Sequence, residues 1–339
     1  MDIIIKSFNR PYYLDRCIQS IRKFVTDSDY RIIILDDGTP EKYLKKISEK
    51  YSHITILKSD FHNEKITAIE SDAENINSNV PIDLWINAAK NASDYFVLLE
   101  DDIWFTDYIS LNELEISLRK ANLQMLKLFW LGNSKLISDR IVKKESFFSI
   151  YEPNLYTRNP LLYKLFFKYS RFKIRKMLSF IPIYTKERAL SYYSIYSVAG
   201  VVFRREYFLS LWKNHANTID EGLQLFNAVQ FLNKNKNKNI TFGRTNKEVV
   251  KTSFLSAATN QHKNYENVSI DMFVFNRIIN EAWYEGELDV MNNFPKDLNP
   301  ESIQKILRDK NAVDASEGEW KKWVERFKLQ YTSFGCIIE

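Results

Sequence analysis

The sequence predicts an α/β fold organised on a largely parallel sheet, and three observations predict it. Ile3-Ile4-Ile5, Ile32-Ile33-Ile34-Leu35 and Tyr95-Phe96-Val97-Leu98-Leu99 are apolar runs without polar alternation, the pattern of strands buried on both faces. Stretches with helical spacing of apolar residues lie between them, so strand and helix succeed one another as in right-handed crossover units. Two of the runs end abruptly in carboxylates, Asp36-Asp37 and Glu100-Asp101-Asp102. In open α/β sheets ligands bind beyond the carboxyl ends of the strands, so both acidic clusters belong at a ligand edge.

The first strand spans residues 3–8. Asn9-Arg10-Pro11 ends it, with Pro11 suited to the first turn of a helix. Leu14, Cys17, Ile18, Ile21 and Val25 recur at helical spacing and give that helix one buried face. Residues 31–35 form the second strand, a helix with Leu44, Ile47 and Tyr51 on one side follows, and 54–57 is a short third strand. Residues 58–80 are polar and irregular, too long for an ordinary connection, and read as part of a binding wall. Val80-Pro81 opens a helix carrying Leu84, Trp85 and Ala88 that leads into the strand from Tyr95. A short amphipathic helix over 111–121 and an apolar strand over 123–131 come next. Residues 197–203 read as a strand, the Asn-Lys run at 233–239 as an exposed loop, and the chain from Asn267 as mainly helical. There Trp320, Trp323, Val324 and Phe327 form an apolar stripe fitted to dock on the same domain, on a second copy or on a membrane.

Composition narrows the function classes. At 339 residues, 45% hydrophobic and 27% charged, the chain can build a large soluble core. The formal net charge of +5 is small for this length. Two cysteines, Cys17 and Cys336, indicate neither a disulfide framework nor a thiolate metal site. The first residues lack the pattern of a secretory signal, and no apolar run reaches membrane-spanning length, so a cytoplasmic location is expected. The first strand is followed by Asn-Arg-Pro rather than by glycines, which argues against a P-loop ATPase, a nicotinamide dehydrogenase and a sugar-phosphate nucleotidylyltransferase.

Glu100-Asp101-Asp102 is the densest chemical signal. Adjacent carboxylates repel one another unless a cation lies between them. Hard oxygen ligands suit Mn2+ or Mg2+, held through one or two carboxylates together with substrate phosphates. The competing reading is a solvated acidic turn in front of the core residues Trp104 and Phe105.

Ser7-Phe8-Asn9-Arg10-Pro11-Tyr12-Tyr13-Leu14, Ile33-Ile34-Leu35-Asp36-Asp37-Gly38 and Phe96-Val97-Leu98-Leu99-Glu100-Asp101-Asp102 resemble, in content, order and separation, a GT-A glycosyltransferase of family two. The resemblance covers residues 1–105. It implies a GT-A-like, Rossmann-type mixed sheet flanked by helices, here with a helical carboxyl-terminal extension. It also implies a nucleotide-sugar donor, a UDP-sugar foremost, contacted by Ser7, Asn9, Arg10, Asp36, Asp37, Glu100 and Asp101, with Asp36 on the nucleoside. Asp102 is the implied ligand of Mn2+ or Mg2+, at the end of a triplet that stands where the family has its Asp-x-Asp motif. Glu100 here replaces the first Asp of that motif. The implied acceptor is a hydroxyl of a glycan or lipid-linked saccharide in surface polysaccharide synthesis. A non-catalytic relative that binds glycans or scaffolds an assembly complex is the alternative.

Inverting transfer needs a carboxylate base for the acceptor hydroxyl. The expected source is Thr218-Ile219-Asp220-Glu221. Thr218 and Glu221 have the spacing of a capping box, so Glu221 would cap a helix while Asp220 is free to act; Asp220 is preferred, Glu221 is the alternative, and a base elsewhere in the chain stays open. By resemblance, Thr259 to Asn264 lies where relatives close a loop over the diphosphate. This makes His262 a candidate metal ligand and Lys263 a candidate diphosphate partner, beside the plainer reading of solvated loop residues.

Residues 156–193 carry many Lys and Arg against one acid, Glu187, interleaved with aromatic and aliphatic residues. Such a segment suits the surface of an anionic bilayer, which would bring the site to the inner face of the cell membrane. It equally suits apolar residues that cover the core while Lys and Arg reach outward. Single-stranded nucleic acid is bound by similar residue types, but no recognised module accompanies them, so no nucleic-acid partner is expected. The expected units are a transferase domain, 1–265, holding a donor half (1–105) and the basic aromatic insertion (156–193), and a helical extension, 266–339.

Overall fold

The computed structural model describes residues 1–71, 73, 76–168, 189–264 and 268–338. The amino-terminal part alternates strands and helices: β1 (Asp2–Ser7), α1 (Pro11–Phe24), β2 (Ile32–Asp36), α2 (Glu41–Lys50), β3 (Ile54–Lys58), α3 (His62–Glu70), α4 (Ile82–Asn91) and β4 (Tyr95–Glu100). There follow β5 (Ile103–Phe105), α5 (Leu111–Lys120), β6 (Leu123–Lys127), β7 (Ile141–Lys144), β8 (Phe148–Tyr151) and α6 (Pro160–Tyr163). The remainder holds β9 (Val201–Arg204), α7 (Arg205–Leu211), α8 (Glu221–Lys234), β10 (Thr241–Thr245), β11 (Val250–Thr252), α9 (Met272–Glu285), α10 (Pro300–Lys310) and α11 (Glu317–Ser333).

Among the described residues the main sheet is mixed, in the order β3-β2-β1-β4-β9-β6-β10-β8-β7. The first four strands are mutually parallel, with Ile3 opposite both Ile32 and Val97. That register brings Ser7 beside Asp36 and Lys6 beside Glu100 at one edge. β9 enters antiparallel between β4 and β6, while β5 pairs with β11 in a separate two-stranded ribbon. Successive residues of each apolar strand feed opposite layers, as the pleat requires. Ile3, Ile5, Val97 and Leu99 pack with α1 and with Phe275, Trp320 and Trp323, whereas Ile4, Leu98 and Phe96 pack with Trp85, Tyr207 and Phe208.

The structure revises several local expectations. Residues 58–80 are not wholly irregular, because α3 lies among them; its weak amphipathic pattern, with His62 and Lys65 turned inward, hid it from a reading based on apolar spacing. The strand expected over 123–131 ends at Lys127, since Leu131 and Gly132 take left-handed backbone angles. The strand expected over 197–203 begins only at Val201. The capping box is also revised: α8 is capped by Asp220, whose Oδ1 accepts from Leu223 N at 3.0 Å, while Thr218 lies outside the helix.

The apolar stripe of α11 docks on its own chain, with Trp320 and Trp323 buried and Trp320 Nε1 donating to the Leu255 carbonyl at 2.9 Å. No described helix is long and apolar enough to cross a membrane. Of the basic aromatic stretch, residues 169–188 lie outside the described residues. In its described flank Tyr163 is buried against Tyr192, their ring centroids 4.8 Å apart, while Leu161, Leu162 and Leu165 are exposed.

Candidate functional site

The carboxyl ends of β1, β2 and β4 open into a cavity of about 460 Å³. Its floor includes Lys6, Ser7, Arg10, Asp37, Glu100 and Asp101. Residues 76–81 and Trp85 line it as well, with Ala258 to Gln261 and Phe273 also on its wall. Lys65 Nζ pins residues 76–81 in place by donating to the Asn79 carbonyl at 2.7 Å.

Each acid at this edge is met by a cation from the same half of the sheet. Lys6 Nζ lies 2.8 Å from Glu100 Oε1, also bonds the Val198 carbonyl, and rests over the Trp85 ring. Burial opposes ionisation of Glu100, but Lys6 outweighs it and holds the carboxyl below its ordinary range. The Arg10 guanidinium forks across the other two acids, bonding Asp101 Oδ1 through Nη2 and Asp102 Oδ2 through Nη1 at 2.8 Å. Asp101 Oδ2 accepts from Phe8 N and Ser7 Oγ, so the Asn-Arg-Pro turn is tied to the end of β4. Burial still raises the pKa of both Asp101 and Asp102.

The two acids after β2 diverge. Asp36 is fully enclosed: it accepts from Gly38 N, Thr39 N and Thr39 Oγ1, and His62 Nε2 lies 3.1 Å from its Oδ1. Burial disfavours the charge on His62, but Asp36 outweighs it and raises the imidazole pKa. Asp37 instead lines the cavity, with Ser59 Oγ and Lys65 Nζ each at 2.6 Å; burial raises its pKa against both partners. Asn9 is buried at φ 52°, its backbone N donating to Thr39 Oγ1 and its side chain meeting Asn280. The structure therefore brings Ser7, Arg10, Asp37, Glu100 and Asp101 to one cavity, with Asp36 and Asn9 supporting it from behind.

Residues 217–221 approach from the other side: Val80 N donates to the Asn217 carbonyl and Ile219 lines the cavity. Asp220 is exposed and engaged as the α8 cap. Glu221, one residue on, accepts at Oε2 from the Tyr193 hydroxyl at 2.6 Å. Burial raises the Tyr193 phenol, and the Glu221 charge raises it further.

His262 is buried with Nε2 3.1 Å from the Ile270 carbonyl and its ring beside Trp323; it does not line the cavity. Lys263 pairs with Asp271 at 2.7 Å. Among the described residues no group of three or more His, Cys, Asp or Glu is arranged around a cation. Asp102 Oδ1 is nonetheless buried without a hydrogen-bond partner among the described residues, an oxygen that a divalent ion would satisfy. A donor set of one or two carboxylates completed by a ligand's phosphates fits that arrangement.

Sequence reasoning missed Lys6, Lys65 and Tyr193. A lone lysine at the end of the isoleucine run 3–5 is a visible signal for Lys6. Lys65 and Tyr193 gave none, because their partners lie 28 residues away in each case.

Residues 2–114 match the family model described as Glycosyl transferase family 2. Over that stretch, a third of its length, the chain is similar to family 2 glycosyltransferases. The match spans β1 to the start of α5, with every acid of the two clusters inside it, and the main sheet is mixed and flanked by helices. Among solved structures, S. aureus TarS 1-349 is 13% identical, with 98% of this chain and 72% of that one covered, at a TM-score of 0.40. A longer S. aureus TarS structure is 11% identical at a TM-score of 0.43, and the chain spans 43% of its length. Glucosyl-3-phosphoglycerate synthase from Mycobacterium tuberculosis, in complex with Mn2+, UDP-glucose and phosphoglyceric acid, is 15% identical, with 70% of this chain and 67% of that one covered, at a TM-score of 0.36. No curated protein sequence matches the chain.

Proposed function

We propose that the protein is an inverting glycosyltransferase that moves a sugar from a nucleotide sugar, a UDP-sugar foremost, to a hydroxyl of a glycan or lipid-linked saccharide in surface polysaccharide synthesis. The observation that carries this reading is the coincidence of the family 2 match with the cavity at the carboxyl ends of β1, β2 and β4, floored by Glu100 and Asp101. We take residues 1–265 as the transferase unit and 266–339 as its helical extension.

In this reading Asp37 and Lys65 face the nucleoside, and Asp36 holds the loop that presents them. Ser7 and Arg10 fix the acid triplet. Asp102, through the oxygen that Arg10 leaves without a partner, and Glu100 would hold Mn2+ or Mg2+, whose chemistry is to neutralise the charge growing on the departing diphosphate. His262 would need to leave the Ile270 carbonyl to join them. The acceptor hydroxyl attacks the anomeric carbon on the face opposite the diphosphate, the carbon–oxygen bond to the diphosphate breaks with its electron pair, and the hydroxyl proton passes to a carboxylate. We assign that carboxylate to Glu221, which Tyr193 orients, rather than to Asp220, which is engaged at the helix cap.

Thermal-shift titration with UDP, GDP, CMP and dTDP, each with and without Mn2+, tests the donor site, because a ligand that binds only the native state raises its apparent stability. A metal-dependent shift with UDP is expected. No shift with any nucleotide would overturn the reading in favour of a glycan-binding or scaffold role.

A further inference from the structure

The stretch between α9 and α10 closes over the elements that carry the acid triplet. Arg16 of α1 donates to the carbonyls of Val290 and Lys296, and its guanidinium lies over the Trp104 ring, 4.4 Å from the centroid. Trp104 Nε1 in turn donates to the Pro295 carbonyl at 3.0 Å. Residues 290–297 therefore clasp α1 and β5 together. These two elements begin immediately after Arg10 and immediately after Asp102.

Asp297 is the carboxylate of this clasp, and each of its oxygens has two donors. Oδ2 accepts from Ser253 Oγ at 2.7 Å and from Phe254 N at 3.1 Å. Oδ1 accepts from the Tyr13 hydroxyl at 3.0 Å and from Leu298 N at 2.7 Å. The Tyr13 and Ser253 hydroxyls also meet each other. Four donors converging on two oxygens call for a carboxylate, since an amide would turn N–H groups towards two of them.

Two arms lead from Asp297 to Asp102. Along the first, Ser253 N donates to the Asp102 carbonyl at 3.1 Å, continuing the ladder that sets Ile103 opposite Thr252. Along the second, Tyr13 N donates to the Arg10 carbonyl at 3.0 Å, and the Arg10 guanidinium, 5.8 Å from the centroid of the Tyr13 ring, holds Asp102 Oδ2 at 2.8 Å. One arm thus fixes the main chain of Asp102 and the other its carboxylate. Groups that orient a ligating side chain in this way govern how tightly the ion is held, although they never touch it.

We propose that Asp297 is a positioning residue that sets Asp102 for the divalent ion, so that the helical extension completes the donor site. This rests on the donor-site reading above. Asp297 acts through Ser253 and Tyr13, and its loss shows in the affinity for the metal, which a general loosening of the extension would leave in place.

The experiment is calorimetric titration of the full chain with MnCl2 in saturating UDP, with the melting temperature of each variant measured beside it. Asp297→Ala should weaken Mn2+ binding by roughly tenfold to a hundredfold, and Asp297→Asn by less, because its amide keeps one accepting oxygen. Ser253→Ala cuts one arm only; it should weaken the metal in the same direction, and it carries the test should the Asp297 variants not fold. Ile279→Val trims a buried core residue of α9 outside this network and should leave Mn2+ affinity within about twofold of wild type, whatever it costs in melting temperature. Unchanged Mn2+ affinity in the folded Asp297 variants, or in Ser253→Ala where it stands in for them, would overturn the assignment while leaving the donor site standing, as would an equal loss in Ile279→Val. Failure of wild type to bind Mn2+ in the presence of UDP would overturn the metal site itself and this assignment with it.

Discussion

The two halves of the sheet treat charge in opposite ways. In β3-β2-β1-β4 neighbouring strands are parallel, and the charges at their ends are compensated by short ion pairs: Lys6 with Glu100, Arg10 with Asp101 and Asp102, Lys65 with Asp37. In β9-β6-β10-β8-β7 the directions alternate irregularly, and the ion pairs beside the strands, Lys143 with Glu145 and Arg158 with Glu152, lie at the surface. Lys127 is buried with no ion pair among the described residues, and Glu221 is met by a phenol. A diphosphate-binding edge gains from acids pre-aligned by cations, whereas a carboxylate meant to take a proton must not be neutralised by a permanent charge. In the proposed function the contrast is one between holding and reacting, and substitutions can break either side of it.

The largest expected effect falls on the compensated half. Asp102→Ala removes a triplet oxygen that is buried without a hydrogen-bond partner among the described residues, while Arg10 keeps Asp101. Transfer should fall about a thousandfold, ~4 kcal/mol in the barrier, with the circular dichroism spectrum unchanged. Retained turnover in a folded variant would remove Asp102 from the chemistry.

Next comes the reactive half. Glu221→Gln keeps the shape of the side chain and its contact with Tyr193 but cannot take a proton, so turnover should drop ~10²- to 10⁴-fold with donor affinity preserved. Asp220→Asn, made beside it, should turn over like wild type. If the two variants exchange these outcomes, the base is Asp220 and the helix cap does not prevent it from acting.

What the sequence reveals follows the same division. β1, β2, β4 and their helices are legible because each is a local unit, an uninterrupted apolar run or a helical period, joined to its neighbour by a short connection. The acids at their ends are legible as type, but not as partners: nothing local says that Asp36 turns inward to cap its own loop while Asp37 faces the cavity. The second half is decided by pairings remote in sequence, such as β4 with β9 and β6 with β10. Position 220 shows the limit most clearly. Thr-Ile-Asp-Glu offers two capping registers two residues apart, and propensity alone does not separate Thr218 from Asp220 as the cap. The contact of Tyr331 with Phe254 lies beyond any such reading, since only the folded chain brings the end of α11 to that residue.

Lys127 sharpens the comparison in stability rather than activity. Burial lowers its pKa from 10.5 to about 7. Between those values the unfolded chain binds a proton that the folded chain does not, so this residue makes stability rise with pH, by ~1.4 kcal/mol per unit at most. Lys127→Met should remove that slope: urea midpoints of variant and wild type should converge as pH rises from 7 towards 10 and run parallel below 7, the variant being the more stable there. Parallel midpoints across the range would mean that the amine is solvated or paired in solution.

The smallest expected effect tests the reassigned cap and thereby the choice of base. Asp220 Oδ1 accepts from Leu223 N, so Asp220→Ala leaves one of the first N–H groups of α8 without a side-chain partner and should cost about 1 kcal/mol of stability, whereas Asp220→Asn, an equally good cap, should cost only a few tenths. Thr218→Ala, outside the helix, should be close to neutral. Were Thr218 the costly position and Asp220 the silent one, the capping box would be restored, Glu221 would be drawn back to the helix start, and Asp220 would become the free carboxylate. A difference of about 1 kcal/mol in a denaturation curve therefore discriminates between two assignments of the catalytic base without any knowledge of the acceptor.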